Sequence, residues 1–293
     1  DRVRMNRINE TNFETDLAKP TGKNWGNLLL YTALFLFSLT TLYSLVWMFY
    51  TSLKSNQDIS MSIFALPTKL HFENYVNAWR TAKIGVYFFN SLLVAVIAIG
   101  LTILIGASAA FILAKFEFKF QRLIYTIFIV GMLIPLQSIL VPLFIQMRSF
   151  NLLNSYWSLI LSYTAFGLPS TIFILESFIR GLPDSVLEAA VLDGSSIPGL
   201  FARIILPMSR PALATVVILN FLNNWKEFSF ALIFINDNSR KTLPIGLYNF
   251  IGAHSSQYAE LMAALTISSI PLILLYIILQ EQVIKGMTAG AVK

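Results

Sequence analysis

The sequence predicts an all-α polytopic membrane protein with six transmembrane helices, and three observations carry that prediction. Hydrophobic residues fill 56% of the 293 positions. Charged residues fill only 12%, about half the share of a soluble domain. Mean hydropathy is +0.68, and the apolar residues gather into runs of the roughly 20 residues that a helix needs to cross a bilayer. A large soluble domain has no room here. The absence of cysteine excludes disulfides, thiolate metal sites and cysteine nucleophiles.

Residues 1–26 are polar and mixed in charge, without the apolar core of a cleavable signal, so they are expected to form a cytoplasmic N-terminal segment and the first span to direct its own insertion. The opening Asp1-Arg-Val-Arg-Met5 is compatible with an ordinary start at Met5. The transmembrane domain is expected over 27–279. Span one covers 27–50, with Trp47 and Tyr50 near its end, where amphipathic rings favour the interface. A polar segment to about residue 85 has room for one or two short helices. Span two, 86–114, carries Gly106 and Ala110 four apart, a spacing that lets helices approach closely in lipid. Span three, 123–147, is interrupted by Pro135 and Pro142, and span four, 156–179, has Gly167 and Pro169 at an expected bend. Span five is expected over 212–235, span six over 261–279, and a cytoplasmic tail over 280–293. With a cytoplasmic N-terminus, that side holds 13 Lys and Arg against 7 outside, so the positive-inside rule places both termini in the cytoplasm.

Between spans four and five lies a polar, helix-competent island, 181–211. Pro183 pre-sets a helix start, and Ser185 with Glu188 has the spacing of a capping box. Val186, Ala189, Ala190 and Asp193 recur at i, i+3, i+4 and i+7, giving one face whose centre is two methyl groups. Gly194 sits where a left-handed residue would release the helix, Ser196 can cap a second helix with Pro198 in its first turn, and Pro207 and Pro211 are placed to end it. The island reads as helix, turn, helix. Both a plain surface hairpin and a docking element fit these signals.

Span five contains Asn220, Asn223, Asn224 and Glu227 at i, i+3, i+4 and i+7, with Lys226 about 100° round the helix. A polar stripe does not face lipid: it either glues helices together or lines a solute path. Trp225 beside it is shaped to stack on a sugar ring or to pack in the core. For enzyme chemistry the sequence is poor. His71 and His254 form no H-E-x-x-H, no G-x-x-x-x-G-K-[ST] phosphate loop occurs, and no serine lies in a G-x-S-x-G elbow. No catalytic or metal residues are expected, and the chain has no phosphate loop of its own for ATP.

The island's Glu188-Ala189-Ala190, Asp193-Gly194 and Ile204-Ile205-Leu206-Pro207 resemble the E-A-A-x-x-x-G and I-x-L-P pattern of the permease subunits of bacterial ABC-type carbohydrate importers, specifically the shorter, maltose-permease-like inner subunit. Ser52-Leu-Lys54, Phe72-Glu-Asn-Tyr75, Asn90-Ser91, Trp225 with Glu227-Phe228, Thr242-Leu243-Pro244 and the tail from Gly286 extend the resemblance over most of the chain. It implies a type I ABC importer permease fold in the bacterial inner membrane. Glu188, Ala189, Ala190, Asp193 and Gly194 are then a cytoplasmic coupling loop docked on an ATP-binding cassette ATPase dimer, which binds the ATP and magnesium. The further partners it implies are a second, related permease, an extracytoplasmic solute-binding protein and an oligosaccharide, in the lipid bilayer and without nucleic acid. On this reading Asn220, Asn223, Asn224, Trp225, Lys226 and Glu227 belong to the substrate path.

Two positions depart from the family pattern. Lys226 stands where an asparagine is common, which suggests an acidic cargo such as an alginate-like oligosaccharide, unless another carboxylate neutralises it. Ser195-Ser196-Ile-Pro198 replaces the usual residues after Gly194. The rival functions are a permease for a neutral sugar, polyol or polyamine, an ion-coupled secondary transporter using Glu227 as its proton site, and an intramembrane enzyme.

Overall fold

The computed structural model describes the backbone over 25–253 and 257–291, and side chains over 25–250 and 257–282. The expectations for residues 1–24, for His254 and for the side chains of the tail lie outside those residues. The chain divides into two units, up to Phe49 and from Tyr50 onward. In the first, helix α1 (Trp25–Thr51) runs without a charged residue. Two of its threonine hydroxyls bond back onto their own helix, Thr32 to Leu28 O and Thr41 to Phe37 O, which satisfies these polar groups in an apolar setting.

Helix is the only regular secondary structure among the described residues of the second unit: α2 (Asn56–Met61), α3 (Glu73–Val76, continuing as a π turn over Asn77–Thr81), α4 (Ile84–Lys115), α5 (Gln121–Gly131), α6 (Leu136–Ser149), α7 (Tyr156–Arg180), α8 (Asp184–Leu192), α9 (Ile197–Met208), α10 (Arg210–Trp225), α11 (Ser229–Phe234), α12 (Leu243–Ala253) and α13 (Tyr258–Ala291). Helices α1, α4, α7 and α13 are each long and apolar enough to cross a membrane, and the number rises to six only where each of the bent pairs α5/α6 and α9/α10 is counted as one span.

Helices α4 and α7 form the centre. Gly106 of α4 meets Thr171 of α7 so closely that a Cβ there would lie 2.6 Å from the threonine methyl. Between helices in lipid there is no hydrophobic driving force, so such close van der Waals contact carries the association. The small residues of span two therefore do face the bundle, with Ala107 and Ala110 buried. Span three breaks ahead of Pro135 with a 102° bend, because proline removes the N–H of the next turn and pushes its predecessor out of the helical region. Pro142 and Pro169, by contrast, sit inside α6 and α7 without ending them. The tail continues α13 as helix to Ala291, and α12 is an eleven-residue helix in a stretch to which the sequence reading gave no element.

The motifs that carry the family resemblance meet in pairs at and beyond the ends of the spans. Asn74 Nδ2 donates to the carbonyls of Ser52 (2.8 Å) and Lys54 (2.9 Å), and the Ser52 and Tyr75 hydroxyls are 2.6 Å apart. Lys54 is buried, and its ammonium donates to the carbonyls of Ser62 (2.6 Å) and Ala65 (3.0 Å). Asn90 likewise donates to Ser239 O and Lys241 O, and Ser91 Oγ accepts the N–H of Leu243. In the segment between α1 and α4 His71 hydrogen-bonds Glu73 at 2.5 Å and holds that carboxyl below its ordinary value.

Candidate functional site

The island folds as helix, turn, helix. At its start the structure corrects the sequence reading: Pro183, not a Ser185 box, is the N-cap of α8, and Ser185 lies inside the helix with its capping role unused. Asp184 takes the first turn, where a carboxylate suits the positive end of the helix dipole. The end is as expected. Gly194 adopts φ +81°, Ser195 N–H bonds Ala190 O and Gly194 N–H bonds Val191 O, each at 2.9 Å, which is a Schellman closure. Ser196 then caps α9 through Gly199 N–H at 3.4 Å.

Pro207 does not end α9. A π turn over Phe201–Ile205, closed by Leu206 N–H on Phe201 O, widens the helix just before the proline, and the chain turns 78° into α10, which Pro211 opens.

The small-residue face of α8 is divided. Ala190 is 8% exposed and packs inward with Phe111, Leu175 and Leu200, while Glu188, Ala189 and Asp193 remain exposed. The methyl group that lets a surface come close therefore serves the chain's own bundle. The outer edge is apolar instead: Leu192 is 88% exposed, and Val191 and Ile197 are more than half exposed. Lys115, at the end of α4, ties the hairpin's entry down by donating to Leu182 O and Asp184, each at 2.7 Å. Sequence spacing gave no sign of this anchor, since the partners are 67 and 69 residues apart.

The polar stripe of span five is rearranged. Helix α10 stops at Trp225, and its 16 residues reach about 24 Å at 1.5 Å per residue, short of a bilayer core of about 30 Å. Lys226 is its C-cap, and α11 begins three residues later, at Ser229. Glu227 therefore lies in the break, off the helical face shared by the asparagines. Its Oε1 accepts the N–H of Phe230 (2.8 Å), and its Oε2 accepts Ala231 N–H (3.3 Å) and the Tyr163 hydroxyl (3.0 Å). One carboxylate thus satisfies the orphan donors that open α11, which is why the chain can break here without glycine or proline.

The break opens a cavity of about 420 Å³. Asn220, Asn223, Asn224, Lys226 and Glu227 all line it, so five of the six residues assigned to the path from sequence come together. Trp225 does not. It is 4% exposed, stacked on Phe221 at 5.3 Å, with its indole N–H bonded to Ser268 O at 3.0 Å. It is a core residue here. Asn220 is interhelical glue: its amide donates to Thr171 Oγ1 (3.0 Å) and Val216 O (2.9 Å), and its oxygen packs against Gly167, where any Cβ would collide with it. Gly167 therefore serves helix contact in an unbroken α7.

Asn223 and Lys226 are exposed into the cavity, and among the described residues Lys226 makes no ion pair. A charged side chain within a membrane span is rare and faces a partner or water, so Lys226 belongs to a wet or occupied cavity. Gln137 of α6 and Tyr163 of α7 complete the polar wall. Sequence reasoning missed both, because only the folded chain brings them to span five.

Comparison with known proteins agrees with this architecture. A family described as binding-protein-dependent transport system inner membrane component matches residues 102–289, more than half of the chain. The diacetylchitobiose uptake system permease protein NgcG of Streptomyces coelicolor is 39% identical over 88% of this chain and 86% of its own length. The probable ABC transporter permease protein YurM of Bacillus subtilis is 37% identical over 100% of this chain and 97% of its own. A crystal structure of a bacterial ABC transporter involved in the import of the acidic polysaccharide alginate superposes with a TM-score of 0.75 at 21% identity, covering 90% of this chain and 99% of that one. That likeness speaks to the fold.

Proposed function

We propose, since this chain belongs to the family of inner-membrane components of binding-protein-dependent transport systems, that its cargo is an oligosaccharide and that a separate ATPase drives it by docking on the α8–Gly194–α9 hairpin. The chain is a transport subunit and not an enzyme. ATP and magnesium are bound by an ATP-binding cassette dimer, a second related permease completes the path, and the solute-binding protein of the family meets the outer loops. Both termini and the hairpin face the cytoplasm, with 1–26 and 280–293 outside the membrane and 27–279 forming the permease domain.

The observation that carries the docking is the apolar outer edge of the hairpin, Val191, Leu192 and Ile197 beside Glu188 and Asp193. An edge that exposed, on a hairpin anchored beneath by Ala190 and Lys115, is built to be covered. Its motion reaches the spans by two covalent or ionic routes, through Lys115 into α4 and through α9 into α10. Docking moves the path only if it is tighter in one state than in the other. The oligosaccharide reading is supported by sugar-uptake relatives and by a cavity walled with amides. Glu227 is poorly suited to an ion-coupled proton site, because both its oxygens already accept hydrogen bonds.

Co-purification tests the docking. Leu192→Asp should lose the ATPase and abolish uptake while the chain still inserts into the membrane. A Leu192→Asp complex that stays intact and transports normally would place the ATPase elsewhere.

A further inference from the structure

We infer that the cavity at the break of span five is a subsite for an anionic sugar unit, with Lys226 as the residue that selects it. The inference rests on the oligosaccharide reading and goes further by assigning the charge of the cargo and the group that recognises it.

The wall of the 420 Å³ cavity leaves donors free while its carboxylate is filled. The one carboxylate in its wall, Glu227, has both oxygens filled by Tyr163 and by two backbone N–H groups. The Asn220 amide nitrogen is filled by Thr171 and Val216. Two groups are left over. Asn224 Nδ2 is buried without a hydrogen-bond partner, and the Lys226 ammonium has no ion pair among the described residues. Both are donors, and one carries a full positive charge.

A buried donor without an acceptor, as at Asn224, is rare in folded proteins because it forfeits its hydration, whereas the Lys226 ammonium is exposed to the cavity and carries its charge there without a counter-ion. A ligand that supplies acceptors and a negative charge removes both deficits at once. A neutral sugar supplies hydroxyl acceptors for Asn224 and leaves Lys226 uncompensated in a wall that has already committed its own carboxylate. The chain could have paired Lys226 with the adjacent Glu227. It directs Glu227 into the start of α11 instead, and the cation is left facing the cavity. Carboxylate-bearing sugars such as uronates have the matching chemistry, since a point cation on a flexible stem binds a carboxylate without demanding one approach angle.

The test is uptake by the complete importer in proteoliposomes, offered a panel of neutral and uronate-bearing di- to tetrasaccharides. The wild-type complex should transport uronate-bearing members. Lys226→Asn should raise their half-saturation concentration by about tenfold, the size expected when one hydrogen bond to a charged group is removed, and Lys226→Arg should restore most of the loss. The amount of complex recovered, measured for each variant, separates a binding defect from failed assembly. If the wild type transports only neutral members, or Lys226→Asn leaves uronate uptake unchanged, the anionic subsite is wrong while the oligosaccharide reading stands. If it transports no oligosaccharide of the panel, the parent reading falls and this one with it.

Discussion

The chain breaks helix twice at places that matter, after α8 and after α10, and it does so by opposite means. The first break is local. Gly194 takes φ +81°, two carbonyls of α8 are closed by the following N–H groups, and Ser196 starts the next helix, all within seven residues. The second is tertiary. Between Trp225 and Ser229 there is no glycine or proline, and the new helix is opened by Glu227, which is itself held by Tyr163 from α7, 64 residues away. The turn of the exposed hairpin is written into its own backbone, whereas the turn that shapes a cavity is held by the helices around that cavity.

Substitutions should separate the two mechanisms. The largest effect is expected at Gly194. Open space surrounds its Cα, so any loss on substitution is conformational and not steric. Gly194→Val should disrupt the hairpin, since a left-handed conformation costs an ordinary residue about 1 to 2 kcal/mol and a β-branched one more, and uptake should be lost. Gly194→Asn should retain much of it, because asparagine tolerates that conformation. A valine variant with normal coupled transport would show that the Schellman turn is dispensable.

A smaller effect on uptake is expected at the second break, where the damage stays at the start of α11. Glu227→Ala removes the acceptor from the start of α11 and from the Tyr163 hydroxyl, a loss of about 1 to 3 kcal/mol. Amide exchange should accelerate at Phe230 and Ala231 and stay unchanged in α8. Glu227→Gln, which keeps one carbonyl acceptor, should fall between. Equal exchange in all three would mean that α11 is opened by something other than the carboxylate.

The difference between the breaks also explains what the sequence could disclose. Spans one, two, four and six were legible as apolar runs, and the turn at Gly194 and the cap at Ser196 were legible because each is decided within a few residues. The stripe of span five was legible as polar but not as broken, because the period from Asn220 to Glu227 continues smoothly past the point where the helix stops. Nothing in residues 220–227 says that Tyr163 will hold the last of them. Trp225 was ambiguous for the same reason: its fate depended on Phe221, Phe88 and Ser268 arriving around it. At the hairpin, Ser185 and Glu188 have capping spacing, yet Pro183 begins the helix two residues earlier, and the box never forms. Ala190 was correctly placed on a close-packing face, but which neighbour would pack there was decided by Phe111 and Leu175, more than ten residues away in the chain.

The central claim is that the broken span five opens a cargo path, and the absence of cysteine from the sequence allows a direct measurement without background. A single cysteine introduced by Asn223→Cys, in the assembled importer in membranes, should react with a small, charged, water-soluble thiol reagent and be protected by transported sugar. A cysteine introduced by Ala231→Cys, at a position 0% exposed and outside the cavity lining, should stay unreactive. If the cysteine at position 223 is as inert as the one at 231, with and without ATP, the cavity is sealed packing and the path runs elsewhere.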